Sequence, residues 1–198
     1  QGKSEIDKCV WLCDYYNQNA INILSDKNIE TGYLKSYVSF QPIGLVLGVM
    51  PWNFPFWQVV RFAIPALLAG NGILLKHASN VQSCANAIEA CFFEAGLPNH
   101  TFKNLQISSD MVDRIIENNR IAGVAITGSE KAGSAVAKKA GECLKKTVLE
   151  LGGNDPYVIL DDADVSKAVM SCVEGRLLNT GQSCISAKRL IITKKNIE

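Results

Sequence analysis

A chain of 198 residues is long enough to bury one large domain or one and a half. Its 20 basic and 19 acidic residues are scattered and leave a net charge of +1, which excludes a basic face for nucleic acid and a polybasic membrane anchor. The longest apolar runs, IGLVLGVM and IPALLAG, are too short to cross a bilayer. Seven cysteines (9, 13, 84, 91, 143, 172 and 184), odd in number and without a CxxC pair, point to reduced thiols in a cytoplasmic protein. Cys9 and Cys13 share a helix face, but His77 and His100 lie far off in sequence. Core packing is therefore expected there, and no metal site.

In chain order, residues 3–22 predict a helix, with Ile6, Cys9, Val10, Cys13 and Tyr16 recurring along one face. Residues 25–40 are polar around Gly32 and then alternate in YLKSYVSF as a strand does; a solvent-facing hairpin accounts for this by itself. From Leu45 strands and helices alternate. Strands are expected at LVLGVM, at 72–76, weakly at 105–107, at 121–127 and at 147–151, with helices over 57–69 and 80–95. This rhythm predicts a parallel sheet wrapped by helices, an architecture that takes a dinucleotide at the carboxyl ends of its strands.

The dinucleotide fingerprint GxGxxG is missing, and GSEKAG (128–133) stands after a strand in its place. Gly128 permits a tight turn, Ser129 can cap the following helix and donate to a phosphate, and the first-turn N–H groups add partial positive charge. Serine caps helices of every kind, so this segment alone does not establish a phosphate site. Lys76 closes the strand GILLK, where a lysine is commonly a solvated cap, and Ser79 follows three residues later. In PWNFP (51–55) the prolines stiffen the loop, and Asn53 offers an amide able to donate to a developing oxyanion. Local hydrogen bonding in a Pro-rich turn is the plain alternative. Arg61 stands among Val60, Phe62 and Ile64, an apolar setting in which a charge is paired or snorkels to solvent.

Glu150 precedes a Gly-Gly pair, and Cys184 lies in the polar loop GQSCISAKR after a helix-like run. A thiolate is a good nucleophile, and a carboxylate can deprotonate water for the step that follows. Taken singly they read as a core thiol and a solvated strand end. Taken together, PWNFP, LELGG and GQSC, in this order, resemble the signatures of the aldehyde dehydrogenase superfamily. PWNFPFWQVVRFAIPALLAGN, LKHAS and GQSCISAKR are most similar to its succinate-semialdehyde branch. The resemblance covers nearly the whole chain, yet family members are more than twice as long and carry a later EIFGP-type cofactor motif. An internal piece of such an enzyme is therefore expected.

The resemblance implies an α/β fold with a Rossmann-like parallel sheet flanked by helices. Residues 1–23 and 44–151 would form the dinucleotide-binding domain, 24–43 a β-extension for subunit contacts in a homodimer or homotetramer, and 152–198 the start of the catalytic domain. It implies NAD(P)-dependent oxidation of a small aldehyde, succinate semialdehyde being the candidate, by Cys184, Glu150 and Asn53. Trp52, Lys76, Ser79, Gly128, Ser129 and Leu151 would bind the cofactor. Members that prefer NAD commonly carry a Glu where Ser79 stands, and its carboxylate repels a 2′-phosphate; NADP is therefore expected, with NAD second. Arg61 would take the substrate carboxylate, with Arg176 as a second anchor. One departure is GLPNHT, which puts His100, an expected surface residue, where many members have Gly. Two other readings stay open: a non-catalytic dinucleotide-binding fragment, and a CoA-acylating aldehyde dehydrogenase, a branch that commonly lacks the Glu found here at 150.

Overall fold

The computed structural model describes residues 2–196, and the chain divides between Glu150 and Leu151 into two compact units. Helix α1 (Gly2–Leu24) opens the first unit and extends slightly beyond the predicted span at both ends. A short antiparallel hairpin follows, β1 (Lys27–Asn28) with β2 (Tyr37–Val38). Tyr33, Leu34, Tyr37 and Phe40 are exposed on and around it.

The chain then alternates through β3 (Leu45–Met50), α2 (Trp57–Leu68), β4 (Gly72–His77), α3 (Gln82–Glu94) and β5 (Phe102–Asn104). It continues through α4 (Val112–Glu117), β6 (Ile121–Thr127), α5 (Glu130–Glu142) and β7 (Lys146–Glu150). The five strands β3 to β7 run parallel in the order β5-β4-β3-β6-β7. The chain steps outward from β3 to β5 and returns on the other side of β3, so the topological switch lies between β3 and β6.

Period-two alternation builds a core on each face of this sheet. Ile73 and Leu75 pack with Val59 and Ala63 of α2 and with Ala85 and Ile88 of α3. Leu47, Val124 and Ile126 pack with Val112 and Ile116 of α4 and with Val136 and Ala140 of α5. Burial on both faces is why LVLGVM and IAGVAIT read as unbroken apolar runs. Gly48 interrupts β3 for a close approach: a Cβ there would sit 2.4 Å from the Phe62 ring of α2.

The strand expected at 105–107 is displaced to Phe102–Asn104, where Phe102 pairs with Ile73 and Asn104 with Leu75. Phe102 is drawn into the core, its ring 4.8 Å from that of Phe92. That contact with α3 outweighs local alternation in setting the register. The helix expected over 80–95 begins later, at Gln82, after a 3-10 turn over Ser79–Val81.

The buried face of α1 includes a charge that its apolar periodicity omits. Glu5 is buried and accepts from the backbone N–H of Phe56 (2.7 Å) and of Trp57 (2.8 Å). It thus caps the start of α2, where orphan donors and the helix dipole favour a carboxylate. Cys9 lies one turn further along, and burial together with Glu5 pushes its thiol up to about 11, the property of a packed thiol rather than a nucleophile. Glu5→Ala should destabilise this joint by about 1.5–3 kcal/mol. Amide hydrogen exchange across α1 and the first turn of α2 should accelerate; unchanged protection would show that the cap contributes nothing.

The second unit is one βαβ element, β8 (Pro156–Ile159), α6 (Val165–Leu177) and β9 (Arg189–Ile192), with its strands parallel. Asp164 caps α6 by accepting from the Lys167 N–H at 3.1 Å. Tyr157 crosses α6 at Gly175, where a Cβ would meet its hydroxyl at 1.8 Å. Among the described residues no helix is long and apolar enough to cross a membrane.

Candidate active site

Because the strands of the large sheet are parallel, their carboxyl ends share one edge. The segment 51–55 leaves that edge after β3, Lys76 and Ser79 lie at the end of β4, Gly128 and Ser129 follow β6, and Glu150 ends β7. Asn53 and Ser129 therefore leave the two strands that flank the topological switch. Trp52, beside Asn53, is exposed.

Ser129 is the N-cap of α5, its Oγ accepting from the Ala132 N–H at 3.2 Å. The hydroxyl keeps its own hydrogen for an incoming oxygen, and the first turn of α5 presents its N–H groups beside it. The Gly128 N–H is tied to the Glu150 carbonyl at 3.0 Å, which locks the turn after β6 to the end of β7.

Lys76 is not the solvated cap that its place at a strand end allowed. It is only 7% exposed, and its ammonium donates to Ser109 Oγ at 3.3 Å. Burial holds its pKa below the ordinary lysine value. Ser109 opens the 3-10 turn Ser109–Met111, and nothing in the local sequence marks it as a partner. Ser79, by contrast, is exposed, a hydroxyl with no charge of its own. A helix N-terminus, a capping hydroxyl and a lysine, with no carboxylate at position 79, fit the phosphates of a dinucleotide.

Arg61 resolves its apolar setting by pairing. Its Nη2 lies 3.3 Å from Thr127 Oγ1 and 3.5 Å from Glu150 Oε2. The side chains of Arg61 and Glu150 are 30% and 58% exposed, so this is a loose, solvent-screened pair. A guanidinium has five N–H donors, which leaves Arg61 capacity for another carboxylate. Thr127, the last residue of β6, had no signal in the sequence beyond its strand.

His100, in the GLPNHT turn, has φ 69°, the left-handed region that favours glycine. Histidine is among the non-glycine residues that tolerate it, so the turn survives the departure and gains an exposed imidazole.

In the second unit, half-buried Leu151 precedes the run GGND, and half-buried Cys184 lies in the loop between α6 and β9. Its neighbours Ser183 and Ser186 are buried, and Ser186 Oγ donates to the Gly175 carbonyl at 3.1 Å. The Lys188 N–H donates to the Asp155 carbonyl at 3.0 Å, Arg189 Nε donates to that of Asn154 at 3.0 Å, and Lys188 Nζ donates to that of Gly153. The cysteine loop is thus fastened to GGND. Arg176 Nη1 donates to the Gly181 carbonyl at 3.3 Å, bracing a left-handed run of Asn179 (φ 52°), Thr180 (φ 58°) and Gly181 (φ 76°) just before the cysteine loop.

Comparison with known proteins agrees with this arrangement. A profile described as "Aldehyde dehydrogenase family" matches residues 1–198. Over 192 residues the chain is 48% identical to the probable succinate-semialdehyde dehydrogenase (NADP+) of Synechocystis sp., covering 97% of this chain and 42% of that protein. It is 46% identical over 192 residues to the succinate semialdehyde dehydrogenase (NAD(P)+) of Escherichia coli K12, with the same coverage of 97% and 42%. The crystal structure of succinic semialdehyde dehydrogenase from Streptococcus pyogenes, in complex with NADP+, is similar at a TM-score of 0.94 and 41% identity. That likeness covers 98% of this chain and 42% of the other. The chain spans less than half the length of these relatives. Matched along its whole length and carrying the family's fold on its parallel sheet, the chain belongs to the aldehyde dehydrogenase family.

Proposed function

We propose that the full-length gene product oxidises succinate semialdehyde to succinate with NADP as hydride acceptor, through Cys184, Glu150 and Asn53. The observation that carries the reading is the carboxyl edge of the sheet: the Asn53 segment, Lys76, Ser79, Ser129 and Glu150 all emerge there. Gly128, Ser129 and the first turn of α5 hold the pyrophosphate, Lys76 and Ser79 the ribose phosphate, and Trp52 and Leu151 flank the cofactor. When bound, the nicotinamide supplies the acceptor for hydride.

The chain's own groups do the rest. Cys184 Sγ attacks the aldehyde carbon as thiolate, and the resulting oxyanion accepts from Asn53 Nδ2 and the Cys184 N–H. Loss of hydride from that carbon restores the carbonyl and leaves a thioester on Cys184. Glu150 takes a proton from water, whose oxygen attacks the thioester carbon. The carbon–sulfur bond then breaks, releasing the carboxylic acid and the Cys184 thiolate. Arg61, with Arg176 as second anchor, pairs with the distal carboxylate. Residues 1–23 and 44–151 act as the dinucleotide-binding part, 24–43 as an extension for subunit contacts, and 152–198 as the start of the catalytic part. The exposed aromatic side chains around the β1–β2 hairpin serve a homodimeric or homotetrameric interface. Cysteine chemistry of this kind suits the cytoplasm, where thiols stay reduced.

Cofactor choice gives the test. A ribose 2′-phosphate brings close to two negative charges, so a carboxylate at 79 repels it, whereas Ser79 does not. The charge-assisted contact from Lys76 is worth about 1.5–3 kcal/mol, at least about a tenfold preference for NADP. Steady-state kcat/KM for both cofactors with succinate semialdehyde should show that preference in the full-length gene product. Ser79→Glu should reverse it, mainly by loss of NADP. A tenfold preference for NAD in the unaltered protein would overturn the pocket reading; no oxidation with either cofactor would overturn the function itself.

A further inference from the structure

His77 ends β4, next to Lys76, and none of it reaches solvent. Its Nε2 lies 2.9 Å from the Pro55 carbonyl oxygen. Its Nδ1 lies 2.9 Å from the Ala78 backbone nitrogen and 3.2 Å from the Met50 carbonyl oxygen. The tautomer with hydrogen on Nε2 satisfies the two shorter contacts: Nε2–H donates to Pro55, and Nδ1 accepts from the Ala78 N–H. The ring therefore fastens the carbonyl that closes the segment carrying Asn53, while its other nitrogen is held by the backbone of its own strand end. Met50, directly opposite His77 in the parallel register, enters the segment, and Pro55 closes it.

Within that segment the Phe54 carbonyl accepts from the Gln58 N–H at 3.0 Å. Pro51 and Pro55 fix their own φ but have no N–H to donate, so they stiffen the loop without fastening it to the sheet. Beyond Pro55 the next two N–H groups, of Phe56 and Trp57, are gripped by Glu5. The segment is thus held by His77 on the sheet side and by Glu5 on the α1 side. A residue needed only for packing would not bring two ring nitrogens into a fully buried place, where each costs free energy unless paired. At His77 the pairing is made to the carbonyl that closes the Asn53 segment.

We propose that His77 is a positioning residue for Asn53, its imidazole setting where the Asn53 amide points by holding the Pro55 carbonyl that closes the segment. The proposal rests on Asn53 as the oxyanion donor. An amide misplaced by an ångström loses much of its effect on the transition state while binding of the aldehyde is little changed.

The test uses the full-length gene product, with kcat counted per titrated Cys184 site so that loss of folded protein does not register. His77→Leu should lower kcat about 10- to 100-fold, with KM for the aldehyde changed by less than about threefold. His77→Gln, whose amide nitrogen can reach the Pro55 carbonyl, should return kcat to within about threefold of the unaltered protein. In an Asn53→Ala background, itself slowed, His77→Leu should lower kcat no more than about twofold further, because the ring acts through Asn53. Unaltered kcat in His77→Leu, or effects that multiply in the double variant, would overturn the proposal. Should His77→Leu fail to fold, His77→Asn replaces it, its amide being too short to reach Pro55; equal kcat in the Asn and Gln variants would then overturn the brace. Full activity in Asn53→Ala overturns the oxyanion reading and this proposal with it. Activity lost in Asn53→Ala but kept in His77→Leu overturns the proposal alone.

Discussion

Replacing Cys184 by alanine is expected to lower aldehyde oxidation by at least about three orders of magnitude, because no other group can then form the covalent intermediate. Cys84→Ala and Cys172→Ala should keep most of the activity. The structure adds a physical reason for Cys84. Burial, with a smaller effect from Glu5, raises its thiol pKa above the ordinary value, and burial raises those of Cys9 and Cys13 as well. A thiol so shifted carries less thiolate at neutral pH and is a poorer nucleophile. Steady-state production of reduced cofactor by the three variants of the full-length gene product decides the matter. Unchanged turnover in Cys184→Ala would remove the assignment.

Glu150→Gln should separate the two halves of the reaction. Hydride leaves before water attacks, so a burst of reduced cofactor, about one per site, should survive the substitution. Steady turnover should then fall by about 10²- to 10⁴-fold, the usual range for a missing general base. Glutamine preserves the shape of the side chain near Arg61 but removes the charge that attracts the guanidinium. Stopped-flow absorbance with aldehyde and cofactor in excess over sites reads both phases. If burst and steady rate disappear together, Glu150 acts before hydride transfer and its role as water-activating base is wrong.

Much of the first unit was legible because its strands are buried on both faces. LVLGVM, GILLK and IAGVAIT stand out as short apolar runs, and the structure starts and ends them within a residue of those bounds. The expected phosphate-side cap was equally local: Ser129 bonds the N–H three residues on, a relation that any serine before a helix announces. The β5 register was harder. It depends on Phe102 meeting Phe92 and Ile73, residues that lie on other elements.

The sequence by itself determined the alternation of strands and helices, the parallel sheet and the edge at which Asn53, Lys76, Ser129 and Glu150 emerge. Each follows from periodicity over a few residues or from the rule that parallel strands end together. Only the tertiary structure decided how those residues are held. Lys76 is buried against Ser109, Arg61 reaches Thr127 and Glu150, Glu5 caps a helix other than its own, and His77 braces the segment around Asn53. All four side chains are buried or half-buried polar groups whose partners come from distant parts of the chain. Periodicity reports which face of an element turns inward. Which polar atoms meet there depends on how the elements pack, and burial forces those atoms to find partners.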